Sequence, residues 1–487
     1  MSQKSVRIYV VLLLTFSVFA SGCVKLKRVP NLEAIFATAK AQTGKRPVII
    51  IPGILGSELV NPETDEIAWL NFNDAKNDSL RLPISPDLSK NKDSLVPRRI
   101  IEKAKVFSFL PEVTIYQTLI QTMQNYGNYK EGDWENPGAE GDRDTFYVFS
   151  YDWRLDNVEN ANKLAKDLEQ LKQKLGKPAL RFNVIAHSMG GLIVRYAAMY
   201  GERDLPNNGA QPKPDWSGAK HFNKIFMFGV PNEGSMEAFE SLLKGYRVPI
   251  PTGKFKISSL SSEVAISSPA IFQLLPHQNT AKFYDEDLKP LEVDLYNSET
   301  WKRYSWSAVT DTQFRTNFVT PDPTLAGKFN EYGTTSLDDL DAYLEAVLNR
   351  ARHFHQALDA DTAVPASIAF FAFGSDCENT VDGAIIRRDE KTNRWVTEFN
   401  ANSFRNSKGE KVNSKVIRNL LYAPGDGRVT RRSVLAETIA QQNYRNSLFR
   451  TAFPVSATFF CEGHSELPNS KVVQNNFLTA LMMEVVQ

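Results

Sequence analysis

Leu180-Arg181-Phe182-Asn183-Val184-Ile185-Ala186-His187-Ser188-Met189-Gly190-Gly191 is the stretch that decides the fold. Leu180, Phe182, Val184 and Ile185 read as a strand, and a tight turn and a helix start follow. Ala186 and Gly190 stand two residues either side of Ser188, where a sharp turn admits only small side chains. Such a turn lifts the Ser188 hydroxyl off the end of a sheet and aims the backbone N–H of Met189 at the same point. The bland alternative is an ordinary serine in a glycine-rich turn. The rest of the chain decides between them, because serine is a weak nucleophile that needs a base and a group to orient the base.

Working outward, Arg46-Pro47-Val48-Ile49-Ile50-Ile51 is a short apolar run that ends in Pro52-Gly53. Residues 145–151, 224–230, 366–374 and 455–460 are similarly rich in Val, Ile and Phe. Short buried runs of this kind read as strands. Leu164, Leu168, Leu171 and Leu175 fall on one helical face, stopped by Gly176 with Pro178 beyond. Another helix starts at Ser336, with Asp339 three residues on, and carries Leu340, Leu344 and Val347. A further helix is expected from about Val113 to Tyr126. Buried strands alternating with amphipathic helices predict an α/β protein, with a mostly parallel sheet and helices on both faces. Sites on such sheets lie at the carboxyl ends of the strands, where Ser188 falls.

Two stretches break the alternation and divide the chain. The first part of the core spans residues 45–235, with a membrane-proximal insertion at 60–130. Residues 236–335 hold Leu242, Leu260, Ile271, Phe272, Leu274, Leu275, Trp301 and Trp306 without sheet rhythm. They are expected to cap the sheet, with Phe272, Leu274 and Leu275 walling an acyl pocket. The second part of the core is 336–487, and 201–220 is a polar surface loop.

The 487 residues carry a net charge of +1, and no basic run interleaved with aromatics favours nucleic acid. Lys4 and Arg7 precede an apolar stretch at 8–20, then Ala20-Ser21-Gly22-Cys23. The stretch is shorter than the ~20 residues of a spanning helix. Residues 1–22 read as a signal peptide and resemble a bacterial lipoprotein signal, cleaved before a lipidated Cys23. A linker then spans 23–44. Export follows, with Cys23 as the membrane anchor and Val24, which carries no aspartate retention signal, favouring the outer membrane. Of the three cysteines, Cys377 and Cys461 remain, and in an exported chain they suggest one disulfide.

With the chain order Ser, acid, His, the six histidines can be sorted. His187 and His221 fail the order, and His277 lies in the expected cap. His353 and His355 close a helix, where a histidine suits the negative end of the dipole. His464, in Cys461-Glu462-Gly463-His464 after the last apolar strand, is the best base. For the acid, Asp426 sits in the turn Pro424-Gly425-Asp426-Gly427, with Asp376 and Asp382 as alternatives. An oxyanion needs two preorganised donors. The Met189 N–H is one, and the Ile54 N–H, in Pro52-Gly53-Ile54-Leu55-Gly56-Ser57, is the candidate for the other.

Pro52-Gly53-Ile54-Leu55-Gly56-Ser57-Glu58-Leu59, Tyr151-Asp152-Trp153-Arg154, Ala186-His187-Ser188-Met189-Gly190-Gly191, Gly229-Val230-Pro231, Gly425-Asp426-Gly427 and His464 appear in order over roughly residues 45–470. In these motifs the chain resembles the lecithin:cholesterol acyltransferase family, which includes lysosomal phospholipase A2 and phospholipid:diacylglycerol acyltransferases. The resemblance implies an α/β-hydrolase fold with cap and membrane-binding insertions. It implies Ser188, Asp426 and His464 as a triad, Ile54 and Met189 as the oxyanion hole, and acyl transfer from a lipid ester to water or an alcohol without metal or cofactor. Cys377 and Cys461 bracket Asp426 much as a family disulfide does. Ala186 stands for the usual first glycine of the elbow, and Arg428 stands where a threonine is common. No cysteine pair lies between Gly56 and Val96 to pin a membrane-contacting loop at 60–95. The expected activity is a lipid acylhydrolase or acyltransferase. The alternatives are a general carboxylesterase and a surface lipoprotein that binds without catalysing.

Overall fold

Six apolar runs become the strands of one sheet. The computed structural model describes residues 29–70, 78–104, 113–206, 210–247, 259–278, 280–306, 315, 337–389, 391–437 and 456–482. The strands are β1 (Val48–Ile51), β2 (Lys130–Glu131), β3 (Thr145–Val148), β4 (Phe182–His187), β5 (Phe222–Phe228), β6 (Ala369–Ser375) and β7 (Ser456–Phe460). They lie in the order β7-β6-β5-β4-β1-β3-β2, and every pairing is parallel. The fold is α/β, as the alternation of strands and helices predicts. The two-residue edge strand β2 escapes the sequence because it is short, charged and exposed.

Both faces are covered. Ile49, Ile51, Val184, Ala186, Ile225 and Met227 point to one side, against α3 (Asn157–Lys174), α4 (Met189–Tyr200) and α6 (Leu337–Leu358). Val48, Ile50, Ile185, Phe226 and Phe228 point to the other, against α1 (Leu32–Ala41), α2 (Gln117–Asn125) and α7 (Lys471–Met482). The period-2 alternation of strands therefore serves two cores at once, which is why these runs are apolar at nearly every position. Val113 and Thr114 are not helical: they pair with Lys103 and Ala104, so α2 begins only at Gln117. Two adjacent β-branched residues suit a pleated strand better than a helix start.

The insertions are built from small sheets, antiparallel except where Lys282–Tyr284 runs parallel to Gly383–Arg388. Ser57–Val60 pairs with Ile67–Trp69 and with Val96–Ile100. Within 60–95, the described Leu80, Leu82, Ile84 and Leu95 are buried. This segment is held by Arg154, whose fully buried guanidinium takes both oxygens of Asp93 (2.6 and 2.8 Å) and both of Asp152 (2.7 and 3.0 Å). Farther on, Lys282–Tyr284 pairs with Pro290–Leu291 and with Gly383–Arg388, which pairs with Trp395–Glu398. The stretch after α5 (Met236–Lys244) and the stretch after β6 thus share a sheet.

Candidate active site

β4 is flanked by β1 and β5, so the loops leaving these three strands meet at one place. Ser188 follows β4 with φ 51° and ψ −126°, a conformation that costs an L-residue energy and recurs at functional turns. A Cβ at Gly190 would lie 2.5 Å from the Pro52 oxygen, so glycine is required there. The Ala186 methyl is tolerated because that residue still belongs to β4 and packs in the core.

His464 reaches Ser188 from a short turn after β7. Its Nε2 lies 3.0 Å from Ser188 Oγ, and its Nδ1 lies 2.8 Å from Asp426 Oδ2. The other carboxylate oxygen of Asp426 accepts from the backbone N–H groups of Arg428 (3.0 Å) and Val429 (2.7 Å). The His464 N–H donates to the Asp426 carbonyl (2.9 Å), so the base and acid loops are also tied through the backbone. Burial alone would raise the Asp426 pKa. The His464 ring and the hydrogen bonds it receives outweigh that and hold the carboxyl below its usual range. A Cβ at Gly229, which has φ +56°, would press on both Asp426 and His464 at 3.0 Å. A disulfide joins Cys377, just past β6, to Cys461, three residues before His464.

The other acids have different duties. Asp376 is exposed, while Asp382 is engaged by Lys282 (2.5 Å) and Arg432 (2.8 Å). The N–H groups of Ile54 and Met189 donate to no acceptor among the described residues. The loop carrying Ile54 is pinned on three sides. Tyr151 donates to the Pro52 carbonyl (2.9 Å), the Trp69 indole donates to the Leu55 carbonyl (2.9 Å), and the Gly53 N–H donates to the Tyr116 hydroxyl (2.8 Å).

Tyr116 and His187 are the residues that sequence reasoning misses. With its oxygen accepting from Gly53, the Tyr116 hydroxyl donates to His187 Nδ1 (2.7 Å), and His187 Nε2–H donates to the His464 carbonyl (3.1 Å). Burial pushes the His187 pKa down to about 3, so the ring stays neutral, as this pattern requires. The chain of bonds links the Ile54 loop to the base loop behind Ser188. Tyr116 lies far upstream of the elbow, and no spacing rule connects them.

A cavity opens over Ser188 and His464, walled by Ile54, Leu260, Ile271 and Leu274 and by the charged Arg428 and Glu237. Of the three expected pocket residues, Leu274 lines it. Phe272 and Leu275 do not: they are fully buried, with Phe272 packed 6.1 Å from Trp301. Leu274 follows the one-turn helix Pro269–Phe272 in a turn closed by its N–H on the Ile271 carbonyl (3.1 Å), and Ile271 and Leu274 both line the cavity while Phe272 is buried in the core. Trp301 and Trp306 also pack inward, on Phe239. A larger hollow of about 1220 Å³ lies at the amino ends of the strands beside Arg46, Arg181 and Lys224. No histidine or carboxylate is among its described lining residues, so the smaller cavity, which holds Ser188 and His464, is the better candidate. Among the described residues, no group of three or more His, Cys, Asp or Glu is placed to hold a metal ion.

The family model described as Lecithin:cholesterol acyltransferase matches residues 102–367, more than half of the chain. The chain belongs to the lecithin:cholesterol acyltransferase family. The match includes the elbow and ends before Asp426 and His464. At family level, membership supports a lipid acyl ester hydrolase or acyltransferase. No curated protein matches the chain. A chain of the solved Tle4–Tli4 complex is similar in fold, at 14% identity and a TM-score of 0.54, with 91% of this chain and 98% of that one covered. EstA from Clostridium botulinum is 11% identical with a TM-score of 0.32, covering 93% and 90%. The likeness to the Tle4–Tli4 chain is one of fold, an α/β sheet with helices on both faces.

Proposed function

We propose that the protein cleaves acyl esters of lipids through an acyl-enzyme formed on Ser188. The observation that carries this reading is the unbroken hydrogen-bond chain Ser188–His464–Asp426 on the floor of a largely apolar cavity. Ser188 Oγ attacks the ester carbonyl while His464 Nε2 takes its proton. Asp426 holds the Nδ1–H and stabilises the imidazolium as it forms. The negative charge on the carbonyl oxygen is met by the N–H groups of Ile54 and Met189. The protonated His464 then gives its proton to the departing alkoxide. Water or an alcohol, deprotonated by His464, releases the acyl group from Ser188.

Leu260, Ile271 and Leu274 suit an acyl chain, since each buried methylene contributes ~0.8 kcal/mol. Export and anchoring through a lipidated Cys23 belong to the same proposal. Cys23 lies outside the described residues, so the support is the pattern of residues 1–23 alone. Most of the described apolar residues of 60–95, among them Trp69, Leu80, Leu82 and Leu95, are buried and Ile67, Leu70 and Leu88 are half-buried, so membrane attachment is proposed through Cys23 rather than through that segment.

The test is a fluorophosphonate probe on purified protein, followed by a lipid-product profile with phospholipid alone and then with added alcohols. Labelling that is lost in Ser188→Ala, together with free fatty acid or a new ester, supports the reading. Wild-type protein that neither labels nor releases product refutes it.

A further inference from the structure

The cavity over Ser188 is apolar on one side and carries a guanidinium on the other. Arg428 is fixed at its backbone, where its N–H donates to Asp426 Oδ1 (3.0 Å) and its carbonyl accepts from Ser235 Oγ (2.6 Å). Its side chain is about one-fifth exposed and lies beside Tyr246, with the ring centroid 5.2 Å away. A guanidinium offers five N–H donors in a rigid fork suited to a two-oxygen acceptor. Among the described residues, Arg428 forms one ion pair, with Glu237, at 3.8 Å, beyond hydrogen-bond reach. The Tyr246 hydroxyl and the more distant Glu237 carboxylate engage it, two partners for a fork of five donors. Desolvation opposes the charge, yet Tyr246, Glu237 and Asp426 keep the guanidinium protonated.

We infer that Arg428 is the subsite for a phosphodiester carried by the ester substrate, held by paired N–H···O bonds while the ester lies on Ser188. The inference rests on the ester-cleaving role proposed above. In a glycerophospholipid the phosphate is only a few bonds from the scissile ester, and Arg428 and Ser188 line the same cavity. Arg428 is anchored through the Asp426 turn, so the phosphate grip and the acid of the triad come from one loop. Glu237 faces the same guanidinium and competes with the phosphate for it.

The experiment uses the full-length protein and two water-soluble substrates with identical acyl chains, dihexanoylphosphatidylcholine and dihexanoylglycerol. Each is kept below the concentration at which it aggregates, so that surface binding plays no part. The readout is the ratio of kcat/KM for the charged over the uncharged ester. Arg428→Met is expected to lower this ratio by about tenfold or more, the scale of a charge-assisted hydrogen bond. Arg428→Lys recovers part of it, since a point charge remains but the fork is lost. Glu237→Gln, which keeps Arg428 in place, raises the ratio. An unchanged ratio in Arg428→Met, or a ratio that falls in both Arg428→Met and Glu237→Gln, overturns the inference while leaving the esterase reading intact. Wild-type protein that cleaves neither lipid overturns the lipid-ester reading, and the inference with it.

Discussion

Among the described residues, two histidine–aspartate pairs have almost identical geometry. His464 Nδ1 lies 2.8 Å from Asp426, and His277 Nδ1 lies 2.7 Å from Asp359. Their surroundings differ. The other nitrogen of His464 faces Ser188 on a cavity wall, while the other nitrogen of His277 is buried with no partner among the described residues. His277 stacks on His355 at 4.0 Å, and His355 is tied to Tyr296 and to the Gln273 carbonyl, both at 2.8 Å. Burial pushes His277 and His355 down and Asp359 up, whereas Asp426 is held down by its partners. A short histidine–carboxylate contact is therefore no sign of a base. What makes one useful is a nucleophile on the far nitrogen and donors that keep the acid ionised. His355 also corrects the expectation of a charged helix-end histidine, for it is buried and neutral.

The sharpest way to break this comparison is to disable both pairs alike. His464→Gln and Ser188→Ala are each expected to lower esterase turnover by about 10⁴-fold or more, because nucleophile and base act as a unit. Asp426→Asn follows closely. His277→Gln is expected to keep activity on a short soluble ester within about threefold, while lowering the melting temperature through a lost buried hydrogen bond. Equal losses in His277→Gln and His464→Gln, measured on that ester, break the distinction.

A tenfold effect tests the next shell. Tyr116→Phe removes the hydroxyl that joins the Gly53 N–H to His187, and is expected to lower kcat about tenfold with KM little changed. Tyr296→Phe deletes the same hydroxyl–imidazole contact in the other cluster, and is expected to cost stability but not kcat. Steady-state kinetics on both variants settles the point, and a fall in KM-independent turnover in Tyr296→Phe alone reverses it.

The smallest effect lies in the pH dependence of stability. Asp359 binds its proton more tightly folded than unfolded, so its contribution falls as pH rises between 3.8 and about 7. Asp426 has the opposite sign: its contribution is present above 3.8 and is lost as pH falls through its lower folded value. The destabilisation caused by Asp359→Asn is therefore expected to be larger at pH 5 than at pH 8, by on the order of 1 kcal/mol. Urea midpoints of wild type and variant at the two pH values measure it, and a pH-independent difference removes the claim.

The parts legible in the sequence are those with a local cause. Five strands announce themselves because strands buried on both faces have little room for polar residues, while the edge strand β7 is exposed to half-buried and shows through Phe459 and Phe460. Ser188, Asp426 and His464 could be picked from the elbow, the Gly-Asp-Gly turn and chain order, and the fold brings the three within hydrogen-bond distance. Tyr116 and the exchange of Phe272 for Leu274 on the cavity wall were not legible. The first depends on which helix the second core places behind the elbow. The second depends on the phase of the one-turn helix Pro269–Phe272, too short to show a period. The sheet shared by residues 282–291 and 383–398 is likewise a matter of long-range pairing between short, mixed segments.

Arg154 has a consequence for how the molecule comes apart. Its two carboxylate partners come from the 78–95 segment and from the end of the β3 region, and all three groups are buried. Freeing either side alone would strand a charge in the interior at a cost of roughly 3–5 kcal/mol. The segment and the strand end should therefore open together, as one cooperative unit in native-state hydrogen exchange, rather than fraying residue by residue as an insertion loop otherwise would.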